Sequence, residues 1–135
     1  GTDSHVSVSP VAELRLLEYG QRIVRRKRNI AAGVNTKSTG RALLGHAWAG
    51  GSKASGRSTG SLKVGQRADI VVLNENHPAL VGRSDDEILD SWIFSGEQTP
   101  VQDVMVGGKW VVRNGQHLDF TVLVSQSRPN ERTRR

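Results

Sequence analysis

The sequence predicts an α/β chain in which two helices come first and a strand-rich part with one further short helix follows. Three observations carry this. Apolar residues between Val11 and Arg28 recur at helical spacing, residues 68–73 form a nearly continuous run of β-formers, and Gly107-Gly108 separates two segments of alternating β-formers. At 135 residues the chain is long enough for one modest domain or a piece of a larger one. It begins in small and polar residues without a Met, which reads as an internal cut.

Ser9-Pro10 is a helix entry, because Ser can cap the free amides and Pro fits the first turn, where its missing donor costs nothing. The first helix is expected from Val11 to about Arg28. Its buried stripe is Leu14, Leu17 and Val24, widened by Leu16 and Ile23, with Arg15, Glu18 and Arg22 outside it. Residues 29–40 have a linker composition, with Gly33, Asn35, Ser38, Thr39 and Gly40. A second helix is expected from Arg41 to about Ala54, holding Leu43, Leu44, Ala47, Trp48 and Ala49, interrupted by Gly50-Gly51 and ended near Gly56.

Two strands should come next, at residues 61–64 and 68–73, separated by a Gly65-Gln66-Arg67 turn. The second is so apolar that it should be buried on both faces, in the middle of a sheet. Asp85 to Ser95 reads as a short acidic-capped helix whose buried side is Ile88, Leu89, Trp92 and Ile93. Residues 101–116 read as a hairpin turning at Gly107-Gly108, with no easy third strand past Asn114-Gly115. The last ten or so residues are expected to be mobile.

The net charge of +6 is not spread over the chain: Arg22, Arg25, Arg26, Lys27 and Arg28 supply +5, the end from Arg128 supplies +3, and the rest carries −2. Neither cluster contains an aromatic residue, so both read as solvated ends and not as a nucleic-acid surface. No apolar run approaches the length that crosses a bilayer, and the chain is expected to meet neither membrane nor nucleic acid. The absence of cysteine excludes disulfides and thiolate metal sites, leaving His, Asp or Glu to hold any metal, and fits a cytoplasmic protein.

Asp3-Ser4-His5 is the one dense polar group with metal-ligand or acid-base character. Asp3 and His5 would share a face of an extended strand. By spacing alone, however, a solvated N-terminal loop explains them better. His46, His77 and His117 show no metal-ligand spacing, and Tyr19, Trp48, Trp92 and Trp110 are better read as core or interface aromatics. The glycine pairs are not phosphate loops.

Several segments change these weights. Gly1-Thr2-Asp3-Ser4-His5-Val6-Ser7, residues 13–22 (ELRLLEYGQR) and residues 60–73 (GSLKVGQRADIVVL) together resemble the amidohydrolase superfamily. Residues 13–22, 89–96 (LDSWIFSG) and 104–112 (VMVGGKWVV) narrow the resemblance to its formimidoylglutamate deiminase family. The resemblance implies a (β/α)8 barrel with a small β-sandwich domain formed from both chain ends. This α/β fragment would supply the end of the barrel at residues 1–56 and part of the β-domain, with one helix and a hairpin, at 57–117. Residues 118–135 depart from the family's helical ending and form a divergent tail.

Asp3 matches the carboxylate at the tip of the last barrel strand, where such barrels place their active sites. The resemblance therefore makes Asp3 both a ligand of one divalent metal, usually zinc, and the proton acceptor for the attacking water. The implied reaction converts N-formimidoyl-L-glutamate to N-formyl-L-glutamate and ammonia in histidine degradation, in a full-length homodimer acting on a small molecule. The family's other ligands and its substrate-binding Arg have no counterpart here, so the stretch should be inactive alone. Two further readings are another deaminase of the superfamily acting on a cyclic amidine such as a purine, and a non-enzymatic basic β-rich interaction module.

Overall fold

The computed structural model describes residues 8–34, 36–96 and 98–119. The chain runs through helices α1 (Pro10–Arg25) and α2 (Thr39–Ser55), strand β1 (Ile70–Leu73), helix α3 (Asp86–Phe94), and strands β2 (Val101–Val106), β3 (Lys109–Arg113) and β4 (Gln116–His117).

The start of α1 is as expected. Ser9 is the N-cap, its hydroxyl accepting from the Ala12 amide at 3.2 Å, and Pro10 opens the helix. Its packing is not as expected. Leu16 and Leu17 are each 56% exposed and Ile23 and Val24 each 78%, whereas Glu18, expected outside, is 1% exposed. The packed face is instead Val11, Leu14, Arg15, Glu18 and Arg22. Val11 and Leu14 join the core, and Arg15 donates to the carbonyls of Ile93 at 2.6 Å and Gly96 at 3.0 Å. A cation there meets the unsatisfied carbonyls at the end of α3.

The helix also ends at Arg25, three residues early, with Arg26 in the left-handed region at φ 51°. The cause is Glu18. Its two carboxylate oxygens accept from the amides of Ile30 at 2.8 Å and Ala31 at 3.0 Å, so the chain has to reverse at once to bring those amides back.

The second helix runs on through Gly50-Gly51 to Ser55 and begins two residues sooner than expected. Ser38 caps it by accepting from the Arg41 amide at 2.9 Å, and the Asp90 carboxylate of α3 accepts from the Gly40 amide at 2.6 Å. Tertiary contact at this end outweighs the poor helix propensity of the glycines further on. Leu43 and Leu44 of α2 and Ile93 of α3 form the core, with Val11, Leu14, Ala31, Leu89, Trp92 and Phe94 packed around them. Although α3 lies among the strands in sequence, it packs chiefly on α1 and α2.

The strands form one antiparallel sheet in the order β1-β2-β3-β4. Three expectations are corrected. Residues 61–64 are not a strand: the Arg67 amide donates to the Ser58 carbonyl and that of Gln66 to Lys63, folding residues 58–67 into turns that leave Leu62 and Val64 exposed. Among the described residues, β1 lies at the sheet's edge rather than its middle, and Val71 is 49% exposed. An apolar run needs a neighbour on each side to be central, and among these residues β1 has β2 alone. A third strand does come after the hairpin: Asn114 and Gly115 both adopt positive φ, and the tight turn they make places β4 beside β3.

The hairpin turn itself is as expected, with Gly107 at φ 57° and Gly108 at φ 82°. Asp69 anchors it. Its carboxylate accepts from the Gly107 amide at 2.7 Å, from Arg67 at 2.8 Å and from the Thr59 hydroxyl at 3.0 Å. A Cβ on Gly107 would sit 2.8 Å from the Arg67 guanidinium, which can swing away, so the backbone strain should dominate. Gly107→Ala is expected to cost about 1–2 kcal/mol in urea unfolding, with Gly107→Asn costing less. Equal losses from both would show that the left-handed conformation is not what the turn requires.

Candidate functional site

Asp3, the expected metal ligand and proton acceptor, and His5 lie outside the described residues, as do residues 120–135 of the expected tail. The described residues begin downstream of Asp3. Ser9 and Pro10 start α1 within seven residues of it, and the α1 face of Arg15, Glu18 and Arg22 fixes that helix on α3 and on the loop at Ile30.

Among the described residues, no group of three or more His, Asp or Glu side chains could hold a metal ion. His46 is exposed on α2, while His77 and His117 each use Nδ1 to accept from a backbone amide two residues on, Ala79 and Asp119, both at 3.2 Å. The last two act as local turn acceptors, in keeping with their spacing. The aromatics likewise pack: Tyr19 lies 5.8 Å from the Phe94 ring, and the Arg113 guanidinium sits 4.4 Å over Trp110.

Two carboxylates have displaced acidities, and both are structural. Burial of Glu18 opposes its charge, but hydrogen bonds from Arg22 at 2.7 Å and from the Ile30 and Ala31 amides outweigh this and hold its pKa below the ordinary carboxylate value. Asp69 is lowered by the Gly107 amide and by Arg67. Neither is a free base facing a cleft. A hollow of about 290 Å³ lined by Asn74, His77, Thr99, Gln102 and Asn114, and one of about 410 Å³ lined by Leu73, Leu80, Val81 and Ile88, include neither of them.

Sequence reasoning missed Glu18, though a signal was present. Val11, Leu14 and Glu18 fall at i, i+3 and i+7, and Arg22 stands at i+4 from Glu18, so one helix face carries two apolar residues and then an ion pair. Of the basic cluster, Arg22 is held by Glu18 and by Asn29 at 3.3 Å, and Arg25 by Gln21 at 3.2 Å.

Comparison with known proteins decides what this frame belongs to. Residues 1–111 match the amidohydrolase family. The chain belongs to that family. Within it, this amidohydrolase is 51% identical over 117 residues to the formimidoylglutamate deiminase of Pseudomonas aeruginosa, covering 87% of this chain and 26% of that enzyme. The stretch matched is a C-terminal portion of the deiminase, as the resemblance in the residues implied. A second relative, the 5-methylthioadenosine/S-adenosylhomocysteine deaminase of Thermodesulfovibrio yellowstonii, is 36% identical over 82 residues, covering 59% of this chain and 18% of that enzyme.

Among solved structures, an amidohydrolase from Brucella melitensis superposes with a TM-score of 0.78 at 39% identity, covering 93% of this chain and 27% of that one. Atrazine chlorohydrolase from Arthrobacter aurescens, solved with zinc, does so with a TM-score of 0.72 at 25% identity and the same coverage. The chain thus spans about a quarter of the length of the deiminase and of these structures. Among the described residues, no helix is long and apolar enough to cross a membrane.

Proposed function

We propose that this chain is the C-terminal part of a metal-dependent amidohydrolase that deiminates N-formimidoyl-L-glutamate to N-formyl-L-glutamate and ammonia. The observation that carries this is the 51% identity over 117 residues to formimidoylglutamate deiminase. In the reaction, water adds to the formimidoyl carbon, its C–N bond to the departing nitrogen breaks with ammonia as product, and the oxygen stays as the formyl carbonyl. Asp3 is assigned to that step as the carboxylate accepting a proton from the attacking water, and as one anionic ligand of the metal.

Zinc is the metal in the atrazine chlorohydrolase structure. The described residues of this chain do not fit a metal by themselves, since none of their His, Asp and Glu side chains gather in threes. One carboxylate fills a single position on an ion that takes about four ligands, so the other ligands belong to the remainder of the enzyme. The stretch alone is therefore expected to be inactive.

The proposed architecture is the end of a (β/α)8 barrel at residues 1–56 joined to part of a small β-sandwich domain at 57–117, with helix α3 of the second stretch packed on α1 and α2 of the first. The four-stranded antiparallel sheet and the open edge of its apolar strand β1 support the second part. The full enzyme is proposed to be a cytoplasmic homodimer in histidine degradation.

A second reading, a purine-type deaminase, is favoured by the 36% identity to the 5-methylthioadenosine/S-adenosylhomocysteine deaminase. One assay separates the two. Metal-loaded full-length enzyme is offered N-formimidoyl-L-glutamate and 5-methylthioadenosine in parallel, and ammonia is measured. Release from the first alone is expected; release from the purine alone would replace the first reading by the second.

A further inference from the structure

Asn114 is the one asparagine of the chain that a glycine follows. It stands with Gly115 in the tight turn between β3 and β4, both residues exposed, at φ 50° and φ 74°. The pair is chemically reactive as well as a good turn former. An asparagine carries an electrophilic carboxamide carbon within five-membered-ring reach of the next backbone nitrogen, and a following glycine has no Cβ to hinder the approach. The Gly115 nitrogen is therefore a nucleophile for the Asn114 side chain. Both residues line the hollow of about 290 Å³ beside His77, so the carbons that water must later attack are not walled off.

The fold opposes that attack at two atoms. The Gly115 amide donates to the Gln102 carbonyl at 2.7 Å, and the Asn114 amide donates to Asp103 Oδ1 at 2.8 Å. The nucleophile has to lose the proton that Gln102 holds. Closing the ring also has to rotate the peptide between Asn114 and Gly115, against the two bonds that tie its flanks to β2. Asp103 is a fixed acceptor, 8% exposed and with the Arg113 guanidinium 3.7 Å away. On the other side of the balance, β4 is two residues long and, among the described residues, lies at the sheet's edge, where local opening costs least.

We propose that Asn114 is a self-modification site of this protein, converting to aspartate and isoaspartate, and that Asp103 and Gln102 set its rate by holding the turn closed. The Gly115 nitrogen bonds to the Asn114 side-chain carbon, the bond from that carbon to the side-chain nitrogen breaks, and this nitrogen leaves as ammonia with the Gly115 proton. Water then opens the cyclic imide at either of its carbonyls. One water is taken up and one ammonia released, with no oxidant or reductant. Isoaspartate adds an atom to the main chain inside the turn, so Val112 no longer pairs with His117 nor Arg113 with Gln116, and β4 is lost from the sheet.

The test is the mass and isomer content of the peptide carrying residue 114, taken from full-length protein kept at mildly alkaline pH either folded or in urea. Conversion at residue 114 is expected in both, slower in the folded protein by about tenfold or more, the factor that two hydrogen bonds place on local opening. Asp103→Ala should speed the folded protein several-fold and leave the rate in urea unchanged. Absence of conversion at residue 114, in urea or in the folded protein on long incubation, overturns the site. Equal rates folded and in urea, or a folded rate that Asp103→Ala does not change, overturn the control by the turn. Should Asp103→Ala fail to fold, urea below the unfolding transition replaces it: conversion should then rise in step with hydrogen exchange at the Gly115 amide, and conversion that ignores this exchange overturns the same claim. Because mass and not ammonia is read, the outcome is independent of the reaction proposed for the whole enzyme.

Discussion

Glu18→Ala is expected to destabilise the protein by about 2–4 kcal/mol, because it strands two backbone amides and an arginine that share one carboxylate. The Ile30 and Ala31 amides both donate to that carboxylate, and without it Arg22 keeps its 3.3 Å contact with Asn29. Arg22 is partly exposed and can turn to water, so the amides account for most of the loss. The effect should also depend on pH. The Glu18 carboxyl lies below its ordinary value in the folded chain, so its contribution is complete at neutral pH. It falls once the pH drops below the unfolded value of about 4.3 and continues to fall until the folded carboxyl itself protonates. Glu18→Gln removes the titration, so urea midpoints of the two forms should converge between pH 7 and pH 3. A constant difference across that range would show that the charge on Glu18 is not what holds the loop.

Gly40→Ala is expected to cost about 3 kcal/mol, against the usual gain from placing alanine in a helix. A Cβ there would lie 2.6 Å from both the carbon and the oxygen of the Leu89 carbonyl and 2.7 Å from the Asp90 amide nitrogen. These are backbone atoms of α3, which no side-chain rotation can move. The helices would have to part, lengthening the 2.6 Å bond from the Gly40 amide to Asp90 and loosening Leu43, Leu44 and Ile93 together. Because the two residues share one contact, Gly40→Ala and Asp90→Ala should be strongly non-additive in urea unfolding. Additive losses would mean that the close approach and the cap are separate.

The features that could be read in the sequence were those whose cause is local. Ser9-Pro10 opens a helix and Gly107-Gly108 turns a hairpin because a hydroxyl beside free amides, and a residue without Cβ at positive φ, act within a few residues of themselves. Asp86–Phe94 was legible from its acidic first turn and its apolar side, although the expected acidic cap is not made: Asp85 stands at the N-cap without a side-chain hydrogen bond to the helix. The features that could not be read depended on residues distant in sequence. Leu17 and Val24 look like a core stripe, but Glu18 binds amides twelve and thirteen residues away and so decides which face turns inward. Residues 61–64 alternate like a strand and find no strand to pair with among the described residues. The run of β1 looks central, although among the described residues it has a neighbour on one side alone.

The assignment of Asp3 comes by another route. Spacing favoured a solvated loop for Asp3-Ser4-His5, since one carboxylate and one histidine do not define a metal centre. The downstream segments raised Asp3 to a ligand by resemblance, and the identity to the deiminase supports the family those segments named.

Whether Asp3 serves the metal and the attacking water is tested most directly by the metal content and ammonia release of the full-length enzyme, with Asp3 intact and with Asp3→Ala. The intact enzyme is expected to hold about one divalent ion per chain and to release ammonia from N-formimidoyl-L-glutamate, and the variant to lose that release while its fold persists. Undiminished release from the Asp3→Ala enzyme would contradict the assignment.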